Sequence, residues 1–267
     1  AVICYFSLSI AIIVHNSMHV KTFYNSFVEE IWHLLLCVCL GHPVCTYESG
    51  HNRSHHRYTQ TTYDAMRTSK LRYKWNLLNL ILFQPTVAPA VFWMDIRFLW
   101  SRWDNMRYFF WKGIGQWLVV IVSQCVLFWM SWKKFLCFVY LPHLFAQMGI
   151  VSFNMLQHDG CVTPKPQSSE KEYNMARNFT GPVTNFFFFN NGFHTIHHFY
   201  PKMHWSFLPS AHASIAHRIH KNLKQQCMTR YIWRTFVYPG VRVDYLGNIL
   251  IFDSPEPPDK DWIKNYK

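Results

Sequence analysis

The sequence predicts an all-α integral membrane protein, with transmembrane helices, a histidine-rich polar cap on one face and a short C-terminal extension. Three observations carry that prediction. Of 267 residues, 50% are hydrophobic, 18% aromatic and only 15% charged, against roughly 25% charged residues in a soluble domain. Five stretches, 1–20, 31–47, 75–94, 113–132 and 135–156, contain no Asp, Glu, Lys or Arg. Sixteen histidines fall largely into dense clusters at the ends of these stretches and between them. A soluble helical core would have to enclose twelve tryptophans and twenty-three phenylalanines in one small domain. Aromatic side chains at bilayer interfaces account for them more simply.

Taken in order, 1–20 reads as a helix whose last turns hold His15 and His19, and 21–30 as a polar bridge. A spanning helix needs about 20 mainly apolar residues. The stretch 31–47 is short, and 75–94 carries Pro85 and Pro89, so both are expected to be re-entrant or interfacial. Between them, 48–74 is charged and holds His51, His55 and His56. The mixed aromatic and basic region 95–112 reads as an amphipathic interfacial element. The stretches 113–132 and 135–156 form an antiparallel helical hairpin turning at Lys133 and Lys134. A loop follows at 161–173, then an amphipathic helix over 211–231, and short β-like runs over 232–253. The expected division is a membrane domain with a di-metal cap over 1–231 and a polar tail over 232–267. If 31–47 and 75–94 do not cross, all the histidine clusters emerge on one face.

Charge and cysteine narrow the function classes. The formal net charge of +12 accompanies no recognisable nucleic-acid-binding module, so nucleic acid is not expected as a partner. A basic region beside a membrane faces anionic lipid or the cytosol-like side. The eight cysteines lie mostly in apolar segments, and neither a disulfide framework nor a CxxC metal pair is expected. The chain opens in an apolar segment without Met, from which a preceding region is expected to have been cleaved or not included.

The clusters are His15-x-x-x-His19, His51-x-x-x-His55-His56 and His194-x-x-His197-His198. Residues three or four apart share a helix face, so each cluster can aim at least two imidazoles at one point. Each has a plainer reading: a helix end for the first, a solvated basic surface for the second, hydrated imidazoles at the lipid edge for the third. Together, eight imidazoles exceed the four ligands of a structural zinc and suit two metals with positions left open for oxygen. Imidazole binds iron, zinc and copper alike, and zinc supplies no electrons, so redox metals beside an apolar wall suggest oxygen chemistry on a long apolar substrate. His158 is a ninth candidate, and Asn154, four residues earlier, is a polar residue for holding a metal-bound water. A helix-end hydrogen-bonded pair is the alternative for these two. Asp159, Glu48 and Asp64 are the acidic candidates for orienting the rings, and Asn190 and Asn191 could shape or cap the third cluster. His33, His42 and His143 read as packed or interfacial, and His204, His212, His217 and His220 as surface or interfacial groups.

The segments HNSMH (15–19), HNRSHH (51–56), NMLQH (154–158) and NNGFHTIHH (190–198) resemble the histidine boxes of the membrane-bound fatty acid desaturase and hydroxylase superfamily. The likeness extends from residue 1 to about 210. It implies a helical membrane domain holding two iron ions through His15, His19, His51, His55, His56, His158, His194, His197 and His198, with Asn154 near a metal-bound water. It further implies membrane lipid as surroundings, an acyl lipid or acyl thioester as substrate, and O2 as oxidant. Electrons would come from a separate donor, cytochrome b5 or ferredoxin, because no fused haem motif is present. Three residues separate His51 from His55, where many desaturases have two; alkane and related hydroxylases share the longer spacing. The leading expectation is a desaturase. Alternatives are a lipid, alkane or carotenoid hydroxylase or ketolase, and a non-catalytic subunit of a larger membrane complex. The membrane itself, endoplasmic reticulum, organellar or bacterial, is left open.

Overall fold

The structure, a computed structural model, describes residues 1–165, 168 and 170–266. Of the loop expected at 161–173, Pro166, Gln167 and Ser169 lie outside the described residues. Among the described residues the fold is helical apart from a two-residue parallel pairing of Asn178–Phe179 with Lys224–Gln225 and one isolated bridge. Four helices are long and apolar enough to cross a membrane: Val2–His19, Asn76–Ser101, Arg107–Met130 and Trp132–His158. Only 11% to 33% of their apolar windows is buried within the protein, and Leu118, Ile121, Val126 and Phe138 are among the side chains turned outward. Apolar surface left uncovered on this scale calls for lipid as its solvent. The protein is membrane-embedded.

Two expectations about the second half of the apolar region are corrected. The stretch 75–94 is neither re-entrant nor interfacial in form but part of a continuous 26-residue helix, Asn76–Ser101, with Pro85 and Pro89 inside it. Proline removes one ladder hydrogen bond, a loss that helices in lipid tolerate when side chains re-engage the backbone. The region 95–112 is likewise not one amphipathic element. It is the end of that helix, a turn through residues 102–106 and the start of the next helix. The turn forms because the buried Arg102 guanidinium lies over the Phe98 ring, 5.1 Å from its centroid, and the Arg102 carbonyl accepts from Met106 N–H at 2.9 Å.

The chain divides into two compact units. The first comprises residues 1–52, 92–150 and 263–267, with a core of Ala11, Val14, Leu36, Cys37, Leu40, Val44, Val120 and Ala146. Asn25 starts the helix Ser26–Leu40 by accepting from the N–H groups of Phe27 and Val28, and Gly41 ends it at φ 70°. A Cβ at Gly41 would overlap the His143 imidazole, so both the conformation and the space require glycine. Arg107–Met130 and the following helix fold back along each other, with Phe128 against Phe135 (ring centroids 5.7 Å) and Gln124 reaching His143 at 3.4 Å. That is the expected hairpin, broken at Ser131.

The second unit comprises residues 53–91 and 151–262 and is built on Leu71, Phe83, Val87, Phe153, Met155, Leu156, Phe179, Tyr231 and Phe236. The amphipathic helix expected over 211–231 is broken into Leu208–Ile215, short turns, the paired Lys224–Gln225 and Met228–Ile232. Tertiary partners take the backbone groups a continuous helix would have used: Asn174 Oδ1 accepts from His220 N–H at 2.8 Å, and Lys224 pairs with Asn178. His212, expected as a surface or interfacial group, is buried with its ring 5.0 Å from that of Phe193. In the tail, the expected β-like runs reduce to one bridge, Val243 with Ile249, around a turn in which Asp244 Oδ1 accepts three backbone N–H groups.

Glu256 fastens that tail by accepting from Arg67 and Arg72 (both 2.7 Å) and from Ser69 (3.0 Å). Burial raises its pKa, but the hydrogen bonds from Arg72, Ser69 and Arg67 outweigh it and hold the carboxyl below its usual 4.5. A depressed carboxyl pKa contributes stability above the unfolded value and loses it as pH falls through the folded one. Limited pepsin digestion is therefore expected to release the tail increasingly as pH drops below 4.5; unchanged cleavage across that window would show that the carboxylate does not fasten it.

Candidate metal centre

The histidine clusters are delivered by different local devices. His15 and His19 end the helix Val2–His19. His51 and His55 lie in a π-helical turn, Glu48–His55, a rare conformation found often at functional sites, and His56 opens the short helix after it. The third cluster sits in the six-residue helix His194–Phe199. The chain reaches it through Phe189 and Asn190 at φ 49° and 58°, a left-handed pair that asparagine accepts and phenylalanine tolerates only under strain. Gly192 then lies against the Phe179 carbonyl, where a Cβ would overlap. Asn178 fixes the start of the helix, accepting from Thr195 N–H at 3.0 Å and donating to its hydroxyl at 2.8 Å.

In the second unit, His55, His158, His194 and His198 converge, their ligand nitrogens within 4.8 Å of one another. The Nε2 atoms of His158, His194 and His198 form a triangle with edges of 3.0, 3.1 and 3.1 Å. A ring nitrogen either donates or accepts, so at least one edge of such a triangle joins like with like. The tautomers sharpen the point. His158 Nδ1 faces the Met175 carbonyl at 2.9 Å, and His55 Nδ1 faces Asp64 Oδ2 at 2.9 Å. Carbonyl and carboxylate oxygens only accept, so both Nδ1 atoms carry the proton and both Nε2 atoms present lone pairs. A cation at the centre turns this repulsion into ligation. Nitrogens set at right angles about 2.1 Å from a first-row metal would lie about 3.0 Å apart, matching the observed edges. Burial, together with His194, His158, His55 and His197 around it, holds His198 well below the ordinary pKa of 6.5, in the neutral form a metal requires.

Asp64 is fully buried and accepts from His55, from Gln60 N–H and from Met66 N–H, each at 2.9 Å. Burial works to raise its pKa, but His55 beside it and these hydrogen bonds lower it, so it backs the ligand as a carboxylate. Asp64→Asn is expected to weaken metal binding roughly 10- to 100-fold, read by competition with a chelator. Of the other acidic candidates, Glu48 accepts from Asn52 at 3.1 Å, and Asp159 pairs with Arg242 instead of meeting a ring. Asn191 supports the third cluster through its carbonyl, which accepts from Gln157 at 2.7 Å. Asn154, one helical turn before His158, is buried with neither side-chain polar atom bonded to the protein. Such a group calls for water or another polar partner.

The remaining box histidines form two smaller groups, each within its own unit. In the first unit, the rings of His15, His19 and His51 meet edge to face with centroids 4.6–5.0 Å apart, and His19 and His51 bring their Nε2 atoms to 3.1 Å. In the second, His56 and His197 approach Nε2 to Nε2 at 3.2 Å. His33 is packed against Glu29, Glu30 and Lys112, and His143 against Gly41, as expected. The contributions of Met175, Asn178, Thr195 and Gln157 were not foreseen. Backbone carbonyls carry no residue identity, and a lone amide or threonine has no spacing signal.

A profile of the fatty acid desaturase family matches residues 1–229. The chain belongs to that family. No curated protein and no solved structure matches it. The match contains His55, His158, His194 and His198, the group able to hold a metal within the second unit, and it makes this desaturase-family protein an oxidoreductase of the desaturase and hydroxylase type, with lipid as substrate.

Proposed function

We propose that the protein is an O2-dependent di-iron desaturase that introduces a double bond into a lipid acyl chain. The observation that carries the proposal is the cage of imidazole lone pairs made by His55, His158, His194 and His198, with Asp64 and the Met175 carbonyl behind two of the rings. These four would hold one iron. For the second, the family likeness alone names the remaining box histidines, His15, His19, His51, His56 and His197, as candidates. Imidazole nitrogens accept iron, zinc and copper alike; iron is proposed because the family is one of oxidoreductases.

When bound, the iron pair supplies the oxidising power: O2, two electrons from a separate donor such as cytochrome b5 or ferredoxin, two protons and two hydrogens of the acyl chain become two waters and a carbon–carbon double bond. The chain's own residues do the rest. The Nδ1 protons of His55 and His158, anchored on Asp64 and Met175, lock both rings in one tautomer and orientation. Burial keeps His198 neutral. Asn154, whose amide is otherwise unbonded, would hold a water beside the metal. The apolar helices keep bulk water from the substrate and fix the chain's position, which is where orientation contributes to rate.

The test is turnover by the purified protein in lipid nanodiscs, given iron, reduced donor, O2 and a saturated acyl substrate, with products read by mass spectrometry. Loss of two hydrogens from the acyl chain is expected. Gain of one oxygen would replace this reading by hydroxylation, and a chain that binds less than about one metal and shows no turnover would be a structural subunit.

A further inference from the structure

Two buried charges in the family-matched region have their counterions outside it. Arg67 is 2% exposed and Asp159 1% exposed, and both lie within the matched residues 1–229. Arg67 donates to Glu256 Oε1 at 2.7 Å, to Asp259 Oδ1 and to the Pro257 carbonyl at 2.6 Å. Asp159 receives Arg242 in a bidentate pair, 2.9 and 2.5 Å. A buried charge without its partner is costly; Arg177 inside the match also acts on Asp159, but the side chains that ion-pair with Arg67 and Asp159 come from residues 242–259.

Each anchor sits next to a metal-ligating histidine. Arg67 Nη1 also donates to the backbone carbonyl of Asp64 at 3.3 Å, and the Asp64 carboxylate holds His55. The same loop is fastened again where Lys260 N–H donates to the Thr62 carbonyl at 2.9 Å and Lys70 to Asp259 at 2.9 Å. Asp159 directly follows His158, and the turn after it is tied by Tyr245 N–H donating to the Gly160 carbonyl at 2.8 Å. Gly160 is at φ 72°, with the Val243 carbonyl where a Cβ would stand. Arg242 also donates to the Leu71 carbonyl at 3.0 Å.

We propose that residues 242–260 form a strap whose two locks, Glu256 and Asp259 on Arg67 and Arg242 on Asp159, are positioning residues for the four-histidine metal site. The strap fixes the two segments that present His55 and His158 and so sets how closely those rings meet His194 and His198. This inference rests on the reading of that cage as a metal site, and its specific content is that a region beyond the family match tunes one metal position and leaves the other alone.

The experiment titrates Co2+ into the purified full chain in detergent and follows its ligand-field absorption, comparing the wild type with E256Q, E256Q/D259N, R242M and R242K. Wild type is expected to take up two equivalents. The double variant and R242M are expected to weaken one equivalent about tenfold, the lower end of what lost support costs a metal site, with the second unchanged and R242K intermediate. E256Q alters a partly exposed carboxyl isosterically and is the variant to read if the others do not fold; it should shift the same equivalent in the same direction. Two equivalents bound as in wild type by E256Q and by every folded variant would overturn the strap, as would equal weakening of both. A wild type that binds no Co2+ would instead overturn the metal reading itself.

Discussion

Replacement of His194 by alanine is expected to remove one iron per chain and all desaturation, while leaving the metal-free protein as stable as the wild type or more so. His194 Nε2 lies 3.0 Å from that of His158 and 3.1 Å from that of His198, so without a cation at least one edge of the triangle joins like with like, and alanine removes two of its three edges. The loss appears only on loading. A ligand present at 100 times its dissociation constant stabilises the folded state by about 2.7 kcal/mol, and H194A should forgo the share due to this site. Even removal of a supporting group lowers metal affinity 10- to 100-fold, so loss of a ligand should exceed about 100-fold. Iron analysis and thermal unfolding with and without metal check both halves. Equal melting shifts on loading for H194A and wild type would remove His194 from the ligand set.

Gly192→Ala is expected to damage the same site by another route. The added Cβ would overlap the Phe179 carbonyl oxygen and crowd Asn185 Oδ1. Backbone stands on one side, so the loop must move. The Gly192 carbonyl accepts from Phe179 N–H at 2.9 Å and His194 begins its helix two residues later, so the movement carries the third cluster with it. Overpacking of this kind costs about 1–3 kcal/mol. The variant should unfold at lower denaturant with or without metal and also bind metal more weakly, whereas H194A shows only the second effect. A G192A protein with wild-type stability and affinity would mean that the loop yields at no cost.

The membrane character and the histidine boxes were legible because both are written in local pattern. Charge-free runs near 20 residues announce helices whatever they pack on, and His15-x-x-x-His19 or His194-x-x-His197-His198 marks a metal-ligand face in a few residues. Pro85 and Pro89 misled for the converse reason, since proline penalises an isolated helix and the helix Asn76–Ser101 is held by its surroundings. The segment 211–231 has helical periodicity, but Asn174 and Asn178 claim its backbone from far along the chain. Asp64 could be named from the sequence among the acidic candidates, whereas its meeting with the His55 ring had to be seen in the tertiary structure.

The sequence by itself determined the solvent of this protein, its helical class and the histidine clusters from which its candidate centre is built, because hydropathy and residue type are properties of single positions and short intervals. The tertiary structure decided which histidines share a site, which nitrogen of each anchored ring faces it, and what holds that ring in place. Those are distances between groups such as His55 and Asp64, His158 and Met175, or Arg67 and Glu256, where partners up to 189 residues apart meet within 3 Å. No local pattern encodes such a meeting; it follows from packing the whole of the second unit at once.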